Sequence, residues 1–158
     1  GWSVECVYTP GHTSNHICYR LRETNDFFPG DHVMGWSTTI VSPPDGDMSD
    51  YMASLQKLLA RDDGVYWPTH GPAIQDPHSY ITALSAHRQE REDQVVDCLS
   101  RGVQSIAEMV PEMYQGLDAQ LIPAARRSVF SHVLKLVDER RVATDGVPSI
   151  DAVYGLSG

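Results

Sequence analysis

At 158 residues the chain is long enough for one domain, or two small ones, with a real core. Its 41% hydrophobic and 21% charged residues exclude wholesale disorder, and a net charge of −9 argues against a nucleic-acid binder working by bulk charge. No long apolar run or signal-peptide pattern occurs, and the cysteines Cys6, Cys18 and Cys98 are sparse and odd in number, which predicts a soluble, cytoplasmic protein with free, mostly buried thiols.

Taken in order, Ser3 to Tyr8 and His16 to Arg22 read as two antiparallel strands, joined across Thr9-Pro10-Gly11-His12. Pro presets φ and Gly adopts conformations other residues resist, so the turn is stiff and delivers an imidazole at a strand end. A third apolar run, Phe27-Phe28, stops at Pro29-Gly30-Asp31-His32. The stretch 35–47 is too rich in breakers for an element, and a loop this long in a small domain is usually functional. Asp47 or Ser49 can cap a helix with Tyr51, Leu55, Leu58 and Leu59 on its apolar face, ending near Asp63-Gly64. Val65-Tyr66-Trp67 reads as a short buried strand, and it too ends at a Pro/Gly corner, Pro68-Thr69-His70-Gly71-Pro72.

A long helix follows from Asp76-Pro77 to Arg101-Gly102, with Arg88, Glu90, Arg91 and Glu92 expected as a solvated, charge-paired face. Ser105-Ile106-Ala107-Glu108 is a capping box opening a helix to Tyr114. Another helix is expected from Asp118 to Arg140, with Ile122, Ala125, Val129, Val133 and Leu136 facing inward. A strand from Arg141 into the turn Asp145-Gly146, paired with Ile150 to Tyr154, completes a small winged helix. Its Arg126, Arg127, Lys135, Arg140 and Arg141 could meet phosphates, but acidic neighbours favour a packing or substrate-shaping role. The expected organisation is a first domain over 1–76, a connecting helix over 77–101 and the winged helix over 102–158.

Three strands thus end at corners carrying His12, Asp31 and His70. Imidazole and carboxylate are ligands for zinc and similar divalent metals, and a metal site with an open position makes water a usable nucleophile near neutral pH. At these residues the sequence resembles the metallo-β-lactamase-fold hydrolases: Thr9-Pro10-Gly11-His12-Thr13 is similar to their "TPGHT", Gly30-Asp31 to their "GD", and Thr69-His70-Gly71-Pro72 to their "GHGP" with Thr69 in place of Gly. The stretch from Pro43 to Leu55, and the helix at His87 to Glu92, resemble the lactamase-beta-2-like branch with a C-terminal winged helix. His12 to Tyr19 also resembles the glyoxalase II type of thioesterase, the alternative reading.

The resemblance implies an α/β (α+β) fold: the second half of an αββα sandwich followed by the winged helix. It implies a two-zinc site in which His12 binds one metal, Asp31 bridges both and His70 binds the other. Trp36, Ser37 and Thr38 would contact substrate, a small-molecule ester or thioester or an RNA. The family's leading His-x-His-x-Asp-His motif, with its water-activating aspartate, does not occur in these 158 residues. The chain is therefore expected to be a truncated, inactive hydrolase or a fragment with a structural role, pairing as a homodimer over the sheet surface left without its partner layer.

Overall fold

Strand β1 (Val4–Tyr8) pairs antiparallel with β2 (Ile17–Leu21), which pairs antiparallel with β3 (Asp26–Phe28), in the spatial order β1-β2-β3. The computed structural model describes residues 1–158, and these form two units, Gly1–Ala86 and His87–Gly158. In the first unit the sheet is two-faced. Val7, Cys18 and Phe27 point into a core shared with Tyr51, Leu55 and Leu58 of helix α1 (Met48–Leu59). The opposite face carries Val4, Tyr8, Ile17, Tyr19 and Phe28, all exposed, with Tyr8 opposite Ile17 and Tyr19 opposite Phe28. A contiguous apolar face of this kind is uncommon on a monomer. Cys6 lies on it and is exposed, whereas Cys18 and Cys98 are buried; all three are free.

Asp47 caps α1 by accepting from the Asp50 amide at 2.9 Å. The helix ends at Leu59, short of the expected Asp63-Gly64, because the next residues turn back to make ion pairs. The Asp63 carboxylate is fully buried and takes Arg61 Nε at 2.6 Å and Arg20 Nε at 3.1 Å. Arg61 also reaches Glu5 at 3.1 Å, tying the helix end to β1. The expected strand at Val65 to Trp67 is reduced to one residue, Tyr66, which bridges Phe27 and Ile74 while its ring stacks on Phe27 at 4.6 Å.

Helix α2 (Pro77–Ser100) has its first ten residues in the first unit and the remainder in the second. Arg88 and Glu92 do not form a solvated face: they are 3% and 0% exposed. They fall on the same 3–4 spacing as buried Ile81, Leu84, Val95 and Leu99, so helical geometry turns them inward despite their charge.

In the second unit α3 (Ile106–Met113) is capped by Ser105, whose hydroxyl accepts from the Glu108 amide and donates to its carboxylate at 2.6 Å. A 3-10 turn (Ala119–Leu121) precedes α4 (Ile122–Asp138) in place of one continuous helix, and Ile122 at its start is 40% exposed, not inward. Ala125, Val129, Val133 and Leu136 are buried as expected, against Val95, Ile106 and Met109. Strands β4 (Val142–Thr144) and β5 (Tyr154–Leu156) pair antiparallel, Val142 opposite Leu156. The return strand starts at Tyr154, later than expected, because Ser149 holds a turn, its carbonyl accepting from the Ala152 amide and the Tyr154 hydroxyl.

Glu92, His132 and Lys135 form a buried cluster in this unit. Lys135 Nζ lies 2.9 Å from Glu92 Oε2, and His132 Nδ1 faces Glu92 Oε1 at 3.6 Å, beyond hydrogen-bond range. Burial, with Arg88 and Lys135 nearby, holds the His132 imidazole below its ordinary range although Glu92 pulls the other way. Burial works against the Glu92 carboxylate, but the facing His132 and Lys135 leave it below the usual value. Of the cations weighed for phosphate contact, Lys135 is thus consumed, Arg126 pairs with Asp151 at 2.6 Å and Arg141 with Glu139 at 3.5 Å. No helix is long and apolar enough to cross a membrane.

Candidate metal centre

The first corner is pressed onto α1. Gly11 has φ +129°, and a Cβ there would lie 2.3 Å from the Tyr51 Cα, so only glycine lets the turn approach the helix this closely. The Gly11 carbonyl accepts from the Asp47 amide at 2.9 Å, and the Pro10 carbonyl from the Ser54 hydroxyl at 2.8 Å. His12, next in line, has no freedom to drift. Its Nδ1 lies 2.6 Å from the Ile40 carbonyl oxygen. A carbonyl only accepts, so Nδ1 carries the proton and Nε2 presents a bare lone pair.

That lone pair faces the second corner. His12 Nε2 stands 3.9 Å from Asp31 Oδ2, and His70 Nε2 stands 3.5 Å from Asp31 Oδ1. The structure therefore gathers all three residues singled out from the sequence, with one carboxylate oxygen turned to each imidazole. Asp31 Oδ1 is buried with no hydrogen-bond partner. A buried carboxylate oxygen without a proton donor is costly unless something else neutralises it.

Asp31 is held from behind by residues the sequence reading did not single out. The Thr39 hydroxyl lies 2.8 Å from the Asp31 carbonyl and 2.9 Å from that of His32, and the Tyr51 hydroxyl donates to the His32 carbonyl at 3.1 Å. Thr39 thus holds the Asp31 carbonyl itself, and with Tyr51 it anchors the next carbonyl along the chain. The Thr38-Thr39 doublet was a faint signal for this; the part played by the Ile40 carbonyl had none.

Two further imidazoles lie behind the site. His16 Nδ1 sits 3.0 Å from the Thr9 hydroxyl, and its ring centroid is 6.1 Å from that of His12 and 5.6 Å from that of His32. Burial and the neighbouring His12 lower the His16 pKa. His32 is fully buried against Tyr51 at 4.7 Å, and burial pushes its pKa down to about 3, so it is neutral at all working pH. These rings serve as packing.

Two nitrogens and a carboxylate are a donor set suited to zinc or another borderline divalent metal. Ligands at tetrahedral zinc distances stand about 3.3–3.6 Å apart, a spacing that the His70–Asp31 separation meets and the His12–Asp31 separation slightly exceeds. As arranged, no group of three or more His, Cys, Asp or Glu side chains closes into a metal-holding cluster. The chemistry of the donors and the unpartnered Asp31 oxygen fit a cation; the three ligands by themselves form an open set.

Trp36, Ser37 and Thr38 line a small pocket together with Tyr80, Ala83 and Leu84.

Comparison with known proteins decides the family. A family model described as the metallo-beta-lactamase superfamily matches residues 1–70, and one described as the beta-lactamase associated winged helix domain matches residues 105–147. Residues 1–70 belong to the metallo-beta-lactamase superfamily. Membership agrees with the likeness read at Thr9 to Thr13, Gly30-Asp31 and Thr69 to Pro72. Among relatives, the lactamase-like protein adaB of Aspergillus niger is 28% identical over 94% of this chain and 50% of its own length. The atrochrysone carboxyl ACP thioesterase of Aspergillus fumigatus is 31% identical over 90% of this chain and 37% of its own. A metallo-beta-lactamase family protein from Thermus thermophilus superposes with a TM-score of 0.81 at 21% identity, covering 97% of this chain and 49% of that one, a likeness of fold. The chain thus spans about half the length of the relatives it matches.

Proposed function

We propose that His12, Asp31 and His70 are metal ligands of a hydrolase acting on an ester or thioester. The observation that carries this reading is the Asp31 carboxylate, which turns one oxygen to each of two imidazole nitrogens while Oδ1 has no hydrogen-bond donor. In it His12, Asp31 and His70 would hold the cation, zinc by donor chemistry. A bound divalent metal supplies Lewis acidity toward the scissile carbonyl and lowers the pKa of water. The protein's own part is orientation. The Ile40 carbonyl keeps the proton on His12 Nδ1, leaving Nε2 free to ligate, while Thr39 holds the Asp31 carbonyl and Tyr51 that of the next residue, His32.

A thioester is favoured by the name of one relative, an ACP thioesterase, and by an apolar pocket on the segment that joins the His70 and His12 corners. RNA is disfavoured by the −9 net charge and by the pairing of Arg126, Lys135 and Arg141 with carboxylates. The glyoxalase II reading predicts the same ligands and differs in substrate. We further propose that these 158 residues, lacking a His-x-His-x-Asp-His motif, bind metal weakly and do not turn over substrate alone, and that the exposed sheet face pairs two copies. Light scattering at the mass of one protomer would remove the second proposal.

Calorimetric titration of zinc into the chelator-stripped chain tests the ligand assignment. Asp31→Asn is expected to weaken zinc by about tenfold or more, because one charged ligand is lost. Equal zinc affinity in the two proteins would overturn the assignment.

A further inference from the structure

We propose that the pocket lined by Trp36, Ser37, Thr38, Tyr80, Ala83 and Leu84 seats the apolar acyl group of the substrate. This rests on the reading of His12, Asp31 and His70 as the reaction centre and assigns which part of the ester or thioester lies where. All six residues belong to the first unit.

The first argument is continuity. The segment from Gly35 to Ile40 is fastened at both ends to the candidate ligands: the Gly35 amide donates to the His70 carbonyl at 2.8 Å, and the Ile40 carbonyl accepts from His12 Nδ1 at 2.6 Å. Gly71 makes this fit tight, since a Cβ there would lie 2.9 Å from the Trp36 amide nitrogen. The stretch slung between two ligand-bearing corners forms the rim of the site, and Trp36, Ser37 and Thr38 lie on it.

The second argument is chemistry. The pocket walls are an indole, a phenol ring, Leu84, the Ala83 methyl and two small hydroxyl side chains. The Tyr80 hydroxyl is already spent, donating to the Met34 carbonyl at 2.7 Å. No charged side chain lines the pocket. A charged or sugar-like group would lose its hydration there with little to replace it, whereas methylenes gain by leaving water. The volume, about 250 Å³, is below that of a site for a whole drug-sized ligand and suits one arm of a substrate. Trp36 is 75% exposed, a large apolar surface with no covering in the free protein.

The test uses the 158-residue chain in EDTA with acetyl- and octanoyl-N-acetylcysteamine thioesters as probes, read by amide chemical shifts. Octanoyl is expected to bind about tenfold or more tightly than acetyl, since the added methylenes supply the gain. Its shifts are expected at Trp36 to Thr38 and Tyr80 to Leu84. Ala83→Phe fills the pocket from an exposed helix position, and Trp36→Ala removes its outer wall; both are expected to abolish the preference for octanoyl while leaving circular dichroism unchanged. Equal binding of the two probes, or octanoyl shifts confined to Val4, Tyr8, Ile17, Tyr19 and Phe28 on the bare sheet face, would overturn the assignment. With EDTA present the result does not depend on zinc. Loss of the metal reading therefore shows in the Asp31→Asn titration, and loss of this one in the probe comparison.

Discussion

The two units treat ionisable side chains in opposite ways. In the second, Glu92, His132 and Lys135 are drawn inside and satisfy or oppose one another. In the first, His12, Asp31 and His70 stand partly exposed, 3.5 to 3.9 Å apart, close enough to share a ligand and too far to hydrogen-bond. The first unit also contains the other style in Asp63, whose buried carboxylate is closed off by Arg20 and Arg61. Within the first unit the contrast is direct: the buried Asp63 carboxylate has two guanidinium partners, and the buried Asp31 oxygen has no hydrogen-bond partner.

Asp63→Ala should break this contrast most severely. It leaves two guanidinium groups facing an emptied site, and removal of one partner from a buried ion pair costs about 3–5 kcal/mol. Urea unfolding of the first unit, followed by the NMR signals of Phe27 and Tyr66, should show a loss of this order. A loss below about 1 kcal/mol would mean that the cluster is no more than a surface network.

A pH series should come next. His132 has its folded pKa depressed by burial, so the unfolded chain takes up the proton first as pH falls. The second unit is then expected to lose stability between about pH 7 and pH 5, with the depressed Glu92 adding a further loss in more acid solution. His132→Gln should flatten the first part of that slope whatever it does to stability at neutral pH. An unchanged slope would show that His132 is not the group responsible.

Smallest in stability, and sharpest for function, is Asp31→Asn. The metal-free variant should unfold within about 0.5 kcal/mol of the parent, because no partner in the fold depends on the carboxylate. Zinc should raise the melting temperature of the parent and not of the variant. A variant much less stable than the parent without metal would make Asp31 a structural residue like Asp63.

Much of this was legible in the chain itself, for reasons that local chemistry explains. Thr9-Pro10-Gly11, Pro29-Gly30 and Pro68 to Gly71 are stiff corners, and each marked the side chain that the fold brings to the others. The caps at Asp47 and Ser105 also followed from local spacing. What escaped depends on tertiary context. Arg88 and Glu92 look solvated by type and are buried by position, a case where helical spacing outweighs residue character. Tyr66 lies in a strand-like run but is the one residue of it that pairs, through isolated bridges to Phe27 and Ile74. Ile122 matches the inward pattern but is the first residue of α4, which starts there after a 3-10 turn, and it is left 40% exposed at the helix end. The convergence of three well-separated corners on one carboxylate is a distance, which spacing in sequence does not encode.

The hydrogen bond from the Asp47 amide to the Gly11 carbonyl gives the site a clock. Asp47 caps α1, and the same residue pins the turn that aims His12. Fraying of the helix's first turn therefore releases the imidazole in the same opening event, so deuterium exchange at the Asp47 amide reports how often the site dissolves, and a cation that bridges His12 to Asp31 would slow that exchange from a distance.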